Sequence, residues 1–159
     1  MNIEIYDIRE QKARLDEIVD YFWKQWGSES NYHFYRDCME HSCQTDNNLP
    51  RFYVAMEDSK IVGSYALLRS DLNSRQDLEP WFACLYVSPE LRGRKLGTQL
   101  QNHAKDQARI AGYPALYLST DLDGYYERNE WIAKGHTYLF DGTQTKVYEL
   151  ESSKRVTIS

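Results

Sequence analysis

The chain has 159 residues, of which 42% are hydrophobic and 27% charged, a balance that indicates one globular domain and excludes a disordered or fibrous chain. Its formal net charge is −5, which argues against nucleic acid or an anionic membrane as partner and favours a cationic small molecule. Three cysteines (Cys38, Cys43, Cys84) form an odd set, Met1 to Gln11 carries acids and no apolar run, and the longest apolar run, Trp81 to Val87, is too short to span a bilayer. A cytoplasmic protein with reduced thiols is expected.

Asn2 to Ile8 reads as a half-buried strand, with Ile3 and Ile5 alternating before a slip to Ile8. Leu15, Ile18, Val19, Phe22 and Trp26 then fall at helical spacing, which predicts an amphipathic helix with Trp26 on its core stripe and Gly27 as its stop. A second helix is expected over Glu29 to Ser42, burying Tyr35, Cys38 and Met39. Phe52 to Met56 and Ile61 to Leu68 read as strands of a hairpin joined by Glu57-Asp58-Ser59-Lys60. Asp71 to Glu79 is polar and loop-like.

Trp81 to Val87 shows no alternation, as a central strand covered on both faces should not, and Pro89 ends it. Cys84 within it is read as a small core hydrophobe. From Leu96 a helix runs to about Ala111, with Leu96, Leu100, Ala104, Ala108 and Ala111 as its inner stripe and Gly112 as its cap. Ala115 to Leu118 is a short interior strand, and Gly124 to Asn129 a brief helix. Two last strands, Ile132 to Phe140 and Thr145 to Leu150, flank the hairpin signal Asp141-Gly142. The order is strand, two helices, three strands, helix, strand, helix, two strands. The strand–helix–strand unit in the middle calls for one parallel pair. The rest reads as antiparallel, so an α/β fold is predicted: a single-domain, mixed, mostly antiparallel sheet of about seven strands with helices on both faces.

The chemistry concentrates in Ser88-Pro89-Glu90-Leu91-Arg92-Gly93-Arg94-Lys95-Leu96-Gly97-Thr98. A strand-to-helix turn leaves the first helical N–H groups unpaired at the positive end of the helix dipole. Glycine lets an anion approach such an end, and Gly93 and Gly97 supply that access. Arg92, Arg94 and Lys95 put three cations within four residues of an acidic chain. Diphosphate suits this turn. The spacing fits neither the Walker pattern nor the dinucleotide fingerprint. His33, Asp37 and His41 share a helix face, but ligands eight residues apart are about 12 Å apart in rise, so no metal site is expected.

The turn resembles the acetyl-CoA pyrophosphate loop of the GCN5-related N-acetyltransferases, Q/R-x-x-G-x-G/A, with Arg92 at the first position and Gly97 at the last. Lys95 stands at the middle glycine; if its φ is negative the amides still serve. Downstream, Tyr125-Tyr126-Glu127-Arg128-Asn129-Glu130-Trp131 resembles the family's F-Y-x-x-x-G-F, with Glu130 in place of glycine and Asn129 as an alternative left-handed helix end. The resemblance implies one acyl-CoA N-acyltransferase domain over 1–150 with a polar tail at 151–159. It implies acetyl-CoA as cosubstrate, held by backbone groups of Leu85, Tyr86 and Val87 and by Arg92, Gly93, Arg94, Lys95, Leu96, Gly97 and Thr98.

Tyr126 is then the acid that protonates the leaving thiolate. The central strand carries no carboxylate, so the base is open between Glu79, Asp121 and a water relay. The absence of a nucleophile elbow favours direct attack by a small-molecule primary amine in a ternary complex over an acyl-enzyme. A catalytically silent acyl-CoA sensor, and a transferase acting on peptide or protein amines, stand as alternatives, and a homodimer is compatible. Trp23, Tyr32 and Tyr35 wall an acceptor pocket or fill the core.

Overall fold

A computed structural model of the chain describes residues 2–152. Its elements are β1 (Ile3–Asp7), α1 (Leu15–Trp26), α2 (Tyr32–Ser42), β2 (Arg51–Glu57), β3 (Lys60–Leu68), β4 (Trp81–Val87), α3 (Leu96–Ile110), β5 (Ala115–Thr120), β6 (Ile132–Tyr138) and β7 (Gln144–Glu151). The strands form one seven-stranded sheet in the order β1-β2-β3-β4-β5-β7-β6. β4 and β5 are parallel, while β1–β2, β5–β7 and β6–β7 are antiparallel. This is the mixed, mostly antiparallel α/β sheet that the hydrophobic pattern predicts. Of the expected polar tail, Glu151 belongs to β7 and residues 153–159 lie outside the described residues. No helix among the described residues is long and apolar enough to cross a membrane.

Two compact units divide the chain, Met1–Ala66 with Cys84–Leu100 and Leu67–Ala83 with Gln101–Ser159. In the first, Asp58 and Ser59 both take positive φ, 50° and 70°, the two-residue turn whose twist matches that of the strands it joins. Ile18, Val19 and Phe22 of α1 are fully buried, and the Phe22 ring packs edge-on against Phe52 at 5.5 Å. Tyr53 and Tyr65 stack at 4.5 Å. Trp26 departs from the expected core placement and is 46% exposed, because it is the last residue of α1 and lies beyond the stretch its stripe covers. α2 begins at Tyr32 rather than Glu29, since Ser28 to Asn31 forms a turn in which the Ser28 amide donates to Asn31 Oδ1. Its buried residues are Met39 and Ser42, while Tyr35 and Cys38 are half-buried.

Gly63 of β3 is the contact point for α3. A Cβ there would lie 3.2 Å from Leu100 Cδ1, from Leu96 Cδ2 and from the Tyr86 carbonyl oxygen. Absence of a side chain therefore lets the first turn of α3 seat against the strand.

The second unit is built on Ala104 and Ala108 of α3, Leu116 and Leu118 of β5, and Val147, Tyr148 and Leu150 of β7, all buried. Gln101, 1% exposed, is a buried polar residue that the apolar stripe does not announce. Its Oε1 accepts a 2.9 Å bond from Trp131 Nε1, so both groups are satisfied. The expected helix over 124–129 shrinks to one 3-10 turn, Glu127–Asn129. It stops there because Glu130 itself takes the left-handed conformation, φ 73° and ψ 9°, not Asn129. β6 ends at Tyr138 rather than Phe140, since Leu139 closes the hairpin by donating to the Thr143 carbonyl and accepting from Gly142.

Two stability outcomes follow. Gly63→Ala forces two side chains and a carbonyl aside and should cost about 1–3 kcal/mol in urea unfolding; an unchanged midpoint would show that Leu96 and Leu100 yield freely. Glu130→Gly relieves the left-handed backbone at an entropic cost and should gain a few tenths to about 1 kcal/mol, and a loss would mean that the Glu130 side chain stabilises this end.

Candidate active site

β4 is not the uniformly covered strand that its apolar run suggests. Trp81 and Phe82 are buried, but Leu85, Tyr86 and Val87 are half-exposed. Cys84 stands at φ 57°, a left-handed residue inside a strand, which kinks the backbone locally. The Ser64 hydroxyl, itself fully buried, donates to the Cys84 carbonyl at 3.0 Å and holds the kink. Cys84 is thus a left-handed residue and half-buried, not a plain core filler. The parallel register of β4 with β5 is a single pair, Trp81 with Tyr117. Beyond Tyr117, β5 continues to pair with β7.

After β4 the chain is pinned and then bent outward. The Ser88 amide donates to the Val62 carbonyl at 2.8 Å, and its buried hydroxyl bonds Tyr21 Oη at 2.8 Å. Burial pushes the Tyr21 phenol up to about 12 despite the opposing Ser88 bond, so Tyr21 stays protonated. Pro89–Leu91 makes a 3-10 turn anchored by Leu91, 1% exposed. The Arg92 side chain folds back: Nε donates to the Val87 carbonyl at 3.2 Å and the guanidinium carbon lies 5.6 Å from the Tyr86 ring centroid. Tyr21 meets the same ring edge-on at 5.9 Å. The end of β4 and the start of the turn are thereby tied together.

Gly93 has φ 83° and Lys95 φ 63°. The condition of a negative φ at Lys95 is not met: the lysine stands in the left-handed backbone that favours glycine. Between them Arg94 donates to the Leu91 carbonyl at 3.3 Å. Among the described residues no acceptor is recorded for the amides of Gly93, Lys95 and Leu96, as the opening of a helix requires. Leu96 is buried and fastens the helix start, whereas Arg94 and Lys95 are exposed. Space beside Gly93 is open, with nothing within 4 Å of where a Cβ would stand. Leu85, Tyr86, Val87 and Arg92 through Thr98 thus fall within one unit, which presents an open helix end flanked by cations, an arrangement that favours anions.

The second unit holds Tyr126. Its carbonyl accepts from the Asn129 and Trp131 amides at 2.9 and 3.3 Å. Its ring packs edge-to-face on Tyr125 at 4.8 Å and on Trp131 at 5.9 Å, and Trp131 is buried against Phe82 at 5.7 Å. The aromatic motif therefore fixes the phenol. Burial, with Tyr125 adding to it, pushes Tyr126 up to about 12.

Glu79 and Asp121 are exposed, the first just before β4 and the second just after β5. His41 turns Nδ1 to the Asp37 carbonyl at 2.8 Å, a contact within one helical turn. Trp23 and Tyr32 are half-buried and meet edge-on at 5.4 Å. Sequence reasoning passes over Asp71, which opens the polar loop before β4. That loop is tied to β6 by the Asn73–Leu139 bridge and by the Ser74 amide donating to the Tyr138 carbonyl at 2.9 Å. Asp71 Oδ2 accepts from Ser119 Oγ of β5 at 3.4 Å. Burial raises its carboxyl to about 6, the Ser119 bond working against the shift. In the sequence it is one of three acids in a polar stretch, with Asp77 and Glu79, and nothing there signals burial.

The model of the acetyltransferase (GNAT) family matches residues 15–131. No curated protein matches the chain. An aminoglycoside 6'-N-acetyltransferase complexed with coenzyme A is similar in structure, with TM-score 0.69 and 16% identity over 99% of this chain and 100% of that one. An aminoglycoside 6'-acetyltransferase type Ii gives 0.69 at 20% identity over 98% and 99%. A spermidine N-acetyltransferase chimera from Vibrio cholerae and hSSAT gives 0.66 at 18% identity over 96% and 97%. These likenesses show the shared fold. The match over residues 15–131, which takes in the central strand, the cationic turn and the aromatic motif, makes this chain a member of the GNAT acetyltransferase family.

Proposed function

We propose that the chain transfers the acetyl group of acetyl-CoA to a primary amine of a small molecule, by direct attack in a ternary complex, with residues 1–150 as one acyltransferase domain. The observation that carries this reading is the turn before α3: left-handed Gly93 and Lys95 leave amides of Gly93, Lys95 and Leu96 without an internal acceptor. Two linked phosphates supply such acceptors, and Arg94 and Lys95 supply opposite charge. Arg92 acts partly through its own anchorage to Val87 and Tyr86. Gly97 and Thr98 complete the turn. The half-exposed backbone of Leu85, Tyr86 and Val87 offers groups to the pantetheine arm, and the kink at Cys84 redirects amides toward the thioester carbonyl, whose oxygen gains charge on attack.

Tyr126 is proposed as the partner of the leaving thiolate. With its phenol at about 12 and an ordinary thiol near 8.5, complete proton transfer is uphill by about 3.5 pKa units. Its contribution is therefore a hydrogen bond donated to the sulfur as charge develops, completed by a proton that the attacking nitrogen releases. A net charge of −5 supports a cationic acceptor, and two structurally similar proteins are named for aminoglycosides and one for spermidine. That no disulfide joins Cys38, Cys43 or Cys84 supports a cytoplasmic setting.

A thiol-release assay with acetyl-CoA and a panel containing polyamines and aminoglycosides tests the reading. Turnover with at least one amine is expected; binding of acetyl-CoA without thiol release would mark a silent sensor instead. Arg92→Ala and Lys95→Ala should each raise the KM for acetyl-CoA roughly 10-fold with kcat within about threefold, as loss of a charge-assisted contact predicts. Lys95→Gly, which relieves the backbone and removes the charge, should melt higher yet show the same KM defect. Unchanged KM in all three would remove the diphosphate assignment. Tyr126→Phe should lower kcat about 10- to 100-fold while leaving the KM for acetyl-CoA within about twofold; equal kcat would remove Tyr126 from the reaction.

A further inference from the structure

One edge of the Arg92 guanidinium is already committed. Its Nε donates to the Val87 carbonyl at 3.2 Å, whereas Nη1 and Nη2 have no hydrogen-bond partner among the described residues. These two donors keep the planar fork that suits a pair of phosphate oxygens. The plane lies against the Tyr86 ring, whose centroid is 5.6 Å from the guanidinium carbon. Tyr86 is itself half-exposed near the end of β4, and a half-exposed ring on a strand has more than one staggered χ1 open to it.

Tyr21 removes that freedom. It stands on α1 directly before Phe22 and two residues after Val19, both fully buried, so its backbone is fixed to the core of the unit. Its ring meets Tyr86 edge-on at 5.9 Å and 67°, and its hydroxyl shares a 2.8 Å hydrogen bond with the Ser88 hydroxyl. Ser88 is 6% exposed, so the two hydroxyls satisfy each other away from water. The Ser88 amide, donating to the Val62 carbonyl at 2.8 Å, fixes the far end of that bond. Phenylalanine and alanine would nearly fill the same space without burying a polar atom, so packing alone does not call for this pair. Tyr21, Tyr86, Ser88 and Arg92 all belong to one unit, and their contacts run unbroken from α1 to the guanidinium.

We propose that Tyr21 is a positioning residue for coenzyme A: it braces the Tyr86 ring, and through it the Arg92 guanidinium, in the orientation that grips the diphosphate. The assignment rests on the acetyl-CoA reading above. An arginine that swings freely loses rotamer entropy when it closes on a ligand, and one held beforehand binds without that cost. Tyr21 therefore acts through Arg92 and makes no contact of its own with the cofactor.

The test measures dissociation constants by calorimetry for wild type, Tyr21→Phe, Tyr21→Leu, Arg92→Ala, and each Tyr21 variant combined with Arg92→Ala, with the fold of each checked by thermal melt. The probes are CoA and pantetheine, which shares the arm but lacks the two linked phosphates. Tyr21→Leu, which removes ring and hydroxyl, should weaken CoA about 5- to 10-fold, and Tyr21→Phe, which keeps the ring and loses the tether to Ser88, about threefold. In the Arg92→Ala background either change should add less than about 1.5-fold, because the brace no longer has a guanidinium to hold. Pantetheine should bind each single variant as it binds wild type. With any amine that wild type turns over, Tyr21→Leu should raise the KM for acetyl-CoA while kcat stays within about twofold. If Tyr21→Leu binds CoA like wild type, or its effect multiplies in full with that of Arg92→Ala, or pantetheine weakens to the same degree, this assignment fails alone. Should Tyr21→Leu not fold, Tyr21→Phe decides by the same criteria. If wild type binds CoA no more tightly than pantetheine, the diphosphate reading fails and takes this assignment with it.

Discussion

The proposed function rests on the amides that open α3, and a backbone that lysine seldom adopts aims them. Left-handed conformation at a residue with a Cβ costs about 1–2 kcal/mol, and Lys95 sits there at φ 63°. Such strain persists only where the surroundings over-determine it. Here the restraint comes from both sides. Leu91 is buried before the turn and Leu96 and Leu100 after it, the latter two seated against Gly63. Arg92 bridges back to Val87 and the Tyr86 ring. A helix end held this way presents N–H groups to an anion without reorganising when the anion arrives, which is how electrostatic preorganisation works.

The same economy recurs at the other kinks. Cys84, Lys95 and Glu130 are non-glycine residues at positive φ, and each ends or bends an element next to residues assigned to acetyl transfer. The first lies in the half-exposed part of β4, the second precedes α3, and the third stops the 3-10 turn that follows Tyr126. Local rules are broken most often where a fold carries function.

Much of the architecture was legible in the chain. Alternation located β1 and apolar runs the interior strands, the Leu96–Leu100–Ala104–Ala108 stripe located α3, and Asp141-Gly142 located the last hairpin, because each signal is carried by residues close in sequence. The cationic turn was legible for the same reason: its glycines and charges are contiguous. What failed was burial that depends on distant partners. Trp26 sits on the right stripe but past its cover. Asp71 looks like any loop acid until Asn73 is tied to Thr137, 64 residues away. The backbone states of Cys84, Lys95 and Glu130 contradict local preference, so no propensity could indicate them.

The order of elements, the helix-opening turn with its charges and the aromatic motif around Tyr126 were therefore determined by the sequence itself, since period, glycine placement and charge act over a few residues. Tertiary structure alone decided which apolar strand residues stay half-exposed, which carboxyl loses its water and which residues bear left-handed backbone. Those outcomes are set by packing between segments far apart in the chain, where the free energy of many contacts overrides what each residue prefers by itself.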